Sequence, residues 1–65
     1  MINTEKIREL IAERNVTSRE LASFAGVSEA MMSYIVQGKR EPNVKTLQLM
    51  ACKLDVTVDE LLTSL

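Results

Sequence analysis

Apolar residues recur three and four positions apart in successive blocks along this chain: Ile7, Leu10 and Ile11; Leu21, Ala22 and Ala25; Met32 and Ile35; Leu47, Met50, Ala51 and Leu54; Leu61, Leu62 and Leu65. That spacing puts each block on one face of an α-helix. A short polar residue able to cap a helix precedes each block: Asn3, Thr17, Ser28, Asn43 and Thr57. The pattern predicts five helices, at approximately 4–14, 18–25, 29–37, 44–54 and 58–64. No stretch reads as a strand, a linker or a low-complexity tract. The expected fold is all-α, a compact single domain over residues 1–65.

The densest signals lie between Val16 and Gly38. Thr17 and Glu20 form a capping box, with Val16 and Leu21 in the staple positions around it. Gly26 can end that helix in the left-handed conformation. Ser28 then caps the next helix, with Val27 and Met32 as its staple. Ala22 and Ala25 leave room for two helices to cross closely, and Leu21, Ala22, Ala25, Val27, Met32 and Ile35 should face inward. A helix, a short Gly-containing turn and a second helix form the arrangement that lays the second helix in a DNA major groove. Each feature alone is ordinary, and an αα-hairpin by itself says nothing about DNA. It is their fixed register within about twenty residues that carries weight.

Composition narrows the classes. Apolar residues make up 46% of the chain, enough for a folded core. Phe24 and Tyr34 are the only aromatics, so aliphatic side chains and methionines must fill the interior. Cys52 is the lone cysteine and there is no histidine, which excludes an internal disulfide and a zinc cluster. Ser18, Ser28 and Ser33 have no histidine to activate them and Cys52 has no base beside it, so no catalytic constellation and no cofactor site is expected. No apolar run approaches membrane-spanning length, and the N-terminal residues lack a signal-peptide pattern. The expectation is a cytoplasmic chain.

The stretch V-T-S-R-E-L-A-S-F-A-G-V-S-E-A-M-M-S-Y-I-V-Q-G resembles the helix-turn-helix of the Cro/phage-repressor (XRE) family. The similarity extends to I-R-E-L before it, G-K-R-E-P after it and T-L-Q-L-M-A-C-K-L-D-V-T-V-D-E-L-L towards the end, nearly the whole chain. The resemblance implies a five-helix, lambda-repressor-like domain. It implies a sequence-specific DNA-binding transcriptional regulator, with repression the expected action, whose helix 29–37 enters the major groove. On the same ground Ser28, Glu29, Ala30, Ser33 and Tyr34 would reach base edges. Thr17, Ser18, Arg19, Lys39, Arg40, Asn43 and Lys45 would lie along phosphates. Many relatives carry Arg at the position of Ile11 and Glu at that of Val36, a partly buried ion pair; here both are apolar, and they are expected to touch in the core.

The chain departs from the family where bases would be read. Relatives often place Gln, Arg or Thr at the start of this helix, whereas Glu29, Ala30 and Met31 stand here. Glu can accept from cytosine N4, and Ala or Met can meet a thymine methyl, yet a carboxylate also repels phosphate. Net charge is −1. Residues 17–45 hold Arg19, Lys39, Arg40 and Lys45 against Glu20, Glu29 and Glu41, a net of +1, while residues 46–65 hold Lys53 against Asp55, Asp59 and Glu60, a net of −2. So thin a basic face leaves a rival open: an anti-repressor or antitoxin-like module that grips a protein with the same scaffold. It also points to association. Leu49 lies off the inner stripe of its helix, and Val58, Leu61, Leu62 and Leu65 fill more positions than one narrow inward seam needs. A weak homodimer through the fifth helix is expected, with double-stranded DNA as the other partner.

Overall fold

The computed structural model describes residues 2–62. The elements are α1 (Thr4–Glu13), α2 (Ser18–Ala25), α3 (Glu29–Val36), α4 (Val44–Leu54) and a 3₁₀ turn, Val58–Leu61. Every expected N-cap is in place. Asn3 Oδ1 accepts from the Lys6 N–H at 3.0 Å, Ser28 Oγ from Met31 at 3.0 Å and Asn43 Oδ1 from Thr46 at 2.8 Å. Thr17 Oγ1 accepts from the Glu20 N–H at 3.0 Å while the Glu20 carboxylate accepts from the Thr17 N–H at 3.3 Å, closing the capping box. Thr57 repeats the bond to Glu60 at 3.3 Å.

The four α-helices also end alike. Asn15, Gly26, Gly38 and Asp55 all hold left-handed backbone, with φ of 57°, 76°, 82° and 59°. The next residue in each case turns back to the carbonyl five positions earlier: Val16 to Ile11, Val27 to Ala22, Lys39 to Tyr34 and Val56 to Ala51, at 2.9–3.0 Å. This is the Schellman closure, and it returns the chain sharply enough for the next helix to pack.

Ile7, Leu21, Met32, Ile35, Met50, Leu54 and Leu61 are the largest side chains almost fully removed from water. All six positions expected to face inward from the central hairpin do so, Val27 only in part. Val36 is buried, and half-buried Ile11 packs against the same core, so the two share one apolar environment.

The last element differs from expectation. A helix over 58–64 was the reading of the pattern; a 3₁₀ turn stops at Leu61 instead, and Leu62 is extended. The cause is tertiary: the Asn3 N–H donates to the Leu61 carbonyl at 2.8 Å, and Ile2 pairs with Leu62 in an antiparallel bridge. The Leu61 carbonyl is then no longer free to continue a helix, and Leu62 is held in extended backbone. The expected helical positions 63 and 64, and Leu65, lie outside the described residues.

The turn between α2 and α3 yields a direct test. A Cβ added at Gly26 would meet nothing within 4 Å, so a substitution there costs backbone strain alone. Gly26→Val is expected to lose about 1–3 kcal/mol, which for a domain of this size lowers Tm by roughly 4–8 °C per kcal/mol. Gly26→Asn should lose less, because Asn tolerates this region. Thermal unfolding of the two variants checks the order, and an unchanged Tm for the Val variant would refute the left-handed conformation.

Candidate nucleic-acid interface

Helix α3 has two sides. Met32, Ile35 and Val36 are buried, while Glu29, Ala30, Tyr34 and the C-capping Gln37 are exposed and Ser33 is half-buried. At 3.6 residues per turn, positions 29, 30, 33, 34 and 37 span an arc of about 140° opposite the buried side. The expected base-reading residues Glu29, Ala30, Ser33 and Tyr34 therefore do share one outward face. Ser28 stands at its N-terminal edge, where its Oγ is engaged by the Met31 N–H. Its hydroxyl hydrogen remains available to a ligand, but its main work is to start the helix.

The face is partly pre-arranged. Gln37 Nε2 donates to Ser33 Oγ at 2.8 Å, which leaves the Ser33 hydroxyl hydrogen and the Gln37 carbonyl oxygen for an incoming group. Lys39 Nζ lies 6.0 Å from the centroid of the Tyr34 ring, within the outer range of a cation–π contact. The ring, about half exposed, thereby sits beside the cationic loop that follows the helix. Gln37 was missed as a candidate from sequence. Its signal was present all the same, since it falls four residues after Ser33 and so on the same helix face.

The residues expected along phosphates divide into three groups. Lys39 and Arg40 are exposed in the loop that leaves α3. Arg40 lines a concavity with Val27, Met31, Pro42, Asn43 and Thr46, and Glu41 lines it too, so one of the two loop cations has a carboxylate for a neighbour. Asn43 and Lys45 are exposed at the start of α4, where the Asn43 side-chain oxygen serves the cap and only its NH₂ group remains for a ligand. Thr17, Ser18 and Arg19 begin α2. The Thr17 hydroxyl is spent within the capping box, donating to Glu20 Oε1 at 3.2 Å, and Ser18 is half-buried. Arg19 is exposed and borders an open depression with Ser23, Phe24 and Lys53, on the α2–α4 side of the molecule.

Other chemistry is sparse. Among the described residues no group of His, Cys, Asp or Glu is placed to hold a metal ion, and Cys52 is exposed. No helix among them is long and apolar enough to cross a membrane.

Comparison with known proteins agrees with this geometry. The family model described as "Helix-turn-helix" matches residues 7–61. The chain is 34% identical over 58 residues to the HTH-type transcriptional regulator DdrOP3 of Deinococcus deserti, covering 89% of this chain and 45% of that protein. It is 32% identical over 59 residues to YopO of Bacillus subtilis, an SPbeta prophage-derived uncharacterized HTH-type transcriptional regulator, covering 91% of this chain and 84% of YopO. It is 36% identical over 59 residues to the HTH-type transcriptional activator BcrR of Enterococcus faecalis, covering 91% of this chain and 29% of BcrR. This chain thus spans under half of two of these relatives and most of the third. A capped helix, a left-handed glycine turn and a second helix with a free polar face lie within the matched residues, and the chain belongs to the helix-turn-helix family, of the Cro/phage-repressor type.

Proposed function

We propose that this chain is a DNA-binding transcriptional regulator that lays α3 in the major groove and acts by occupying its site, as a repressor. The observation that carries the reading is the outward arc of Glu29, Ala30, Ser33, Tyr34 and Gln37 on a helix whose other side is locked into the core. Repression by occupancy asks nothing of the domain beyond binding. In this reading Ser33, Tyr34 and Gln37 meet base edges by hydrogen bonding, Ala30 meets a thymine methyl and Glu29 accepts from cytosine N4. Lys39, Arg40 and Lys45 contact phosphates and fix the register. No enzymatic step and no cofactor belongs to this function, and a cytoplasmic location follows from it.

Few cations face the duplex, so affinity per copy is low. With two to four phosphate contacts, the logarithm of the binding constant should fall against the logarithm of salt with a slope of about −2 to −4. Gel shift against random duplex, at low and then higher salt, reads this out. Lys39→Ala and Arg40→Ala should weaken binding to all duplexes alike and each flatten the slope by about one unit. Absence of retention at either salt would instead favour the protein-interaction reading, which the exposed Glu29 supports.

Glu29 is the residue whose role is most open to measurement. If it reads cytosine, Glu29→Gln should shift the consensus selected from a random DNA pool at one position. Uniformly tighter binding, with an unchanged consensus, would make it a repulsive bystander.

A weak homodimer through the end of the domain is part of the same proposal. Among the described residues the apolar surface there is smaller than the sequence implied: Leu61 is fully buried, and Leu49 and Val58 are partly buried against the core. Leu62, 37% exposed, remains with the edge of Val58. A patch of this size supports contact only at high concentration or on DNA, where two half-sites one turn apart, roughly 34 Å, hold the copies together. Sedimentation from micromolar to millimolar concentration, with and without Leu62→Asp, tests it. A monomer throughout, also bound singly on a palindromic duplex, would remove the dimer.

A further inference from the structure

An α-helix ends with four carbonyls that have no partner inside it. At the end of α3 these belong to Ser33, Tyr34, Ile35 and Val36. The chain's own return accounts for three: the N–H groups of Gln37, Lys39 and Gly38 donate to Ser33, Tyr34 and Ile35 at 3.1, 2.9 and 3.0 Å. The fourth, the Val36 carbonyl, accepts from a guanidinium N–H of Arg8 at 3.0 Å, across 28 positions of sequence. The bond is charge-assisted, and a cation at this end also suits the helix dipole.

A second contact meets the same junction. Thr4 stands one helical turn before Arg8 on the same face of α1. Its methyl Cγ2 lies 3.4 Å from where a Cβ on Gly38 would be, so α1 abuts the turn that leaves α3. Ile11, a further turn along, packs against the core that holds Val36. One face of α1 thus braces the last turn of α3 and Gly38, where the Lys39–Arg40 loop begins, while the partner of Val36 comes from outside the helix-turn-helix.

We propose that Arg8 is a positioning residue for DNA reading, holding the C-terminal end of α3 and the Lys39–Arg40 loop in one orientation through the Val36 carbonyl. The inference rests on the DNA-binding function proposed above. Arg8 acts through α3 and touches no nucleotide. Loss of the bond lets the end of α3 fray, which blurs the placement of Tyr34, Gln37 and Lys39 and lowers discrimination between sequences more than attraction to phosphate.

The test compares Arg8→Met and Arg8→Lys with the wild-type chain in two ways. In the free protein, amide hydrogen exchange at Gln37, Gly38 and Lys39 should quicken about tenfold in the Met variant, the size expected for a lost charge-assisted bond. Amides of the fully buried Leu21 and Met50 should stay unchanged. On DNA, the Met variant should bind its selected duplex about tenfold more weakly, with the salt slope unchanged and the preference over random duplex reduced. The Lys variant, which keeps a cationic donor, should recover part of both effects. A slope flattened by about one unit would make Arg8 a phosphate ligand and overturn the proposal. Unchanged exchange, or exchange quickened equally at Leu21 and Met50, would overturn it as well. A wild-type chain that retains no duplex at low salt would defeat the DNA function and this role together, whereas a binding wild type with an unaffected Met variant would defeat this role alone.

Discussion

None of the helices here is long enough to stand without the others. The longest, α4, has 11 residues, and α2 and α3 have 8 each. Isolated helices below about 12–15 residues are marginal in water, because nucleation costs more than so few hydrogen bonds return. Their order therefore comes from the shared core around Leu21, Met32, Ile35, Met50 and Leu54, and from ends that are closed on both sides. Capping matters more than usual here. Each cap is worth about 1 kcal/mol, a sizeable fraction of the stability of a domain this small.

The same constraint explains why α1, outside the helix-turn-helix, bears on it. Two of its arginines reach the last carbonyls of other helices: Arg8 that of α3, and Arg14, through Nε, the Leu54 carbonyl of α4 at 3.0 Å. At positions 11 and 36, where the family resemblance implies an Arg–Glu pair, this chain has two apolar residues in one core. A matched apolar replacement avoids the desolvation cost of a buried ion pair. What such a pair also supplies is direction, and here hydrogen bonds from arginines to helix-end carbonyls provide it.

For the proposed function, the consequence is an α3 face backed by the core on a domain with little electrostatic pull. A chain of net charge −1 gains little from non-specific attraction. In the proposed DNA-binding role, discrimination comes from a few well-placed contacts on α3, and these are useful only if the helix is held still. The Gln37–Ser33 bond and the long cation–π contact of Lys39 with Tyr34 arrange part of that face before any ligand arrives. Side chains already ordered lose less entropy on binding.

Much of this was legible in the chain. Asn3, Thr17, Ser28, Asn43 and Thr57 act through bonds to the backbone three residues on, and Gly26 through its own φ; such local chemistry depends on neighbours in sequence. The inward stripes followed from helical periodicity, and the outward candidates on α3 were implied by the family resemblance. The same resemblance implied the order of the elements and DNA as the class of partner. Tertiary structure alone decided the rest. The final segment stops as a 3₁₀ turn because Leu61 and Leu62 pair with Asn3 and Ile2, about 60 positions away. Leu49 and Leu61, which looked available for a partner, are drawn towards the core. Nothing in the sequence marks the roles of Arg8 and Arg14, since their acceptors are main-chain carbonyls, present at every residue and distinguished by no side chain. A sequence shows which groups can donate; only the fold shows which carbonyl has been left without a partner.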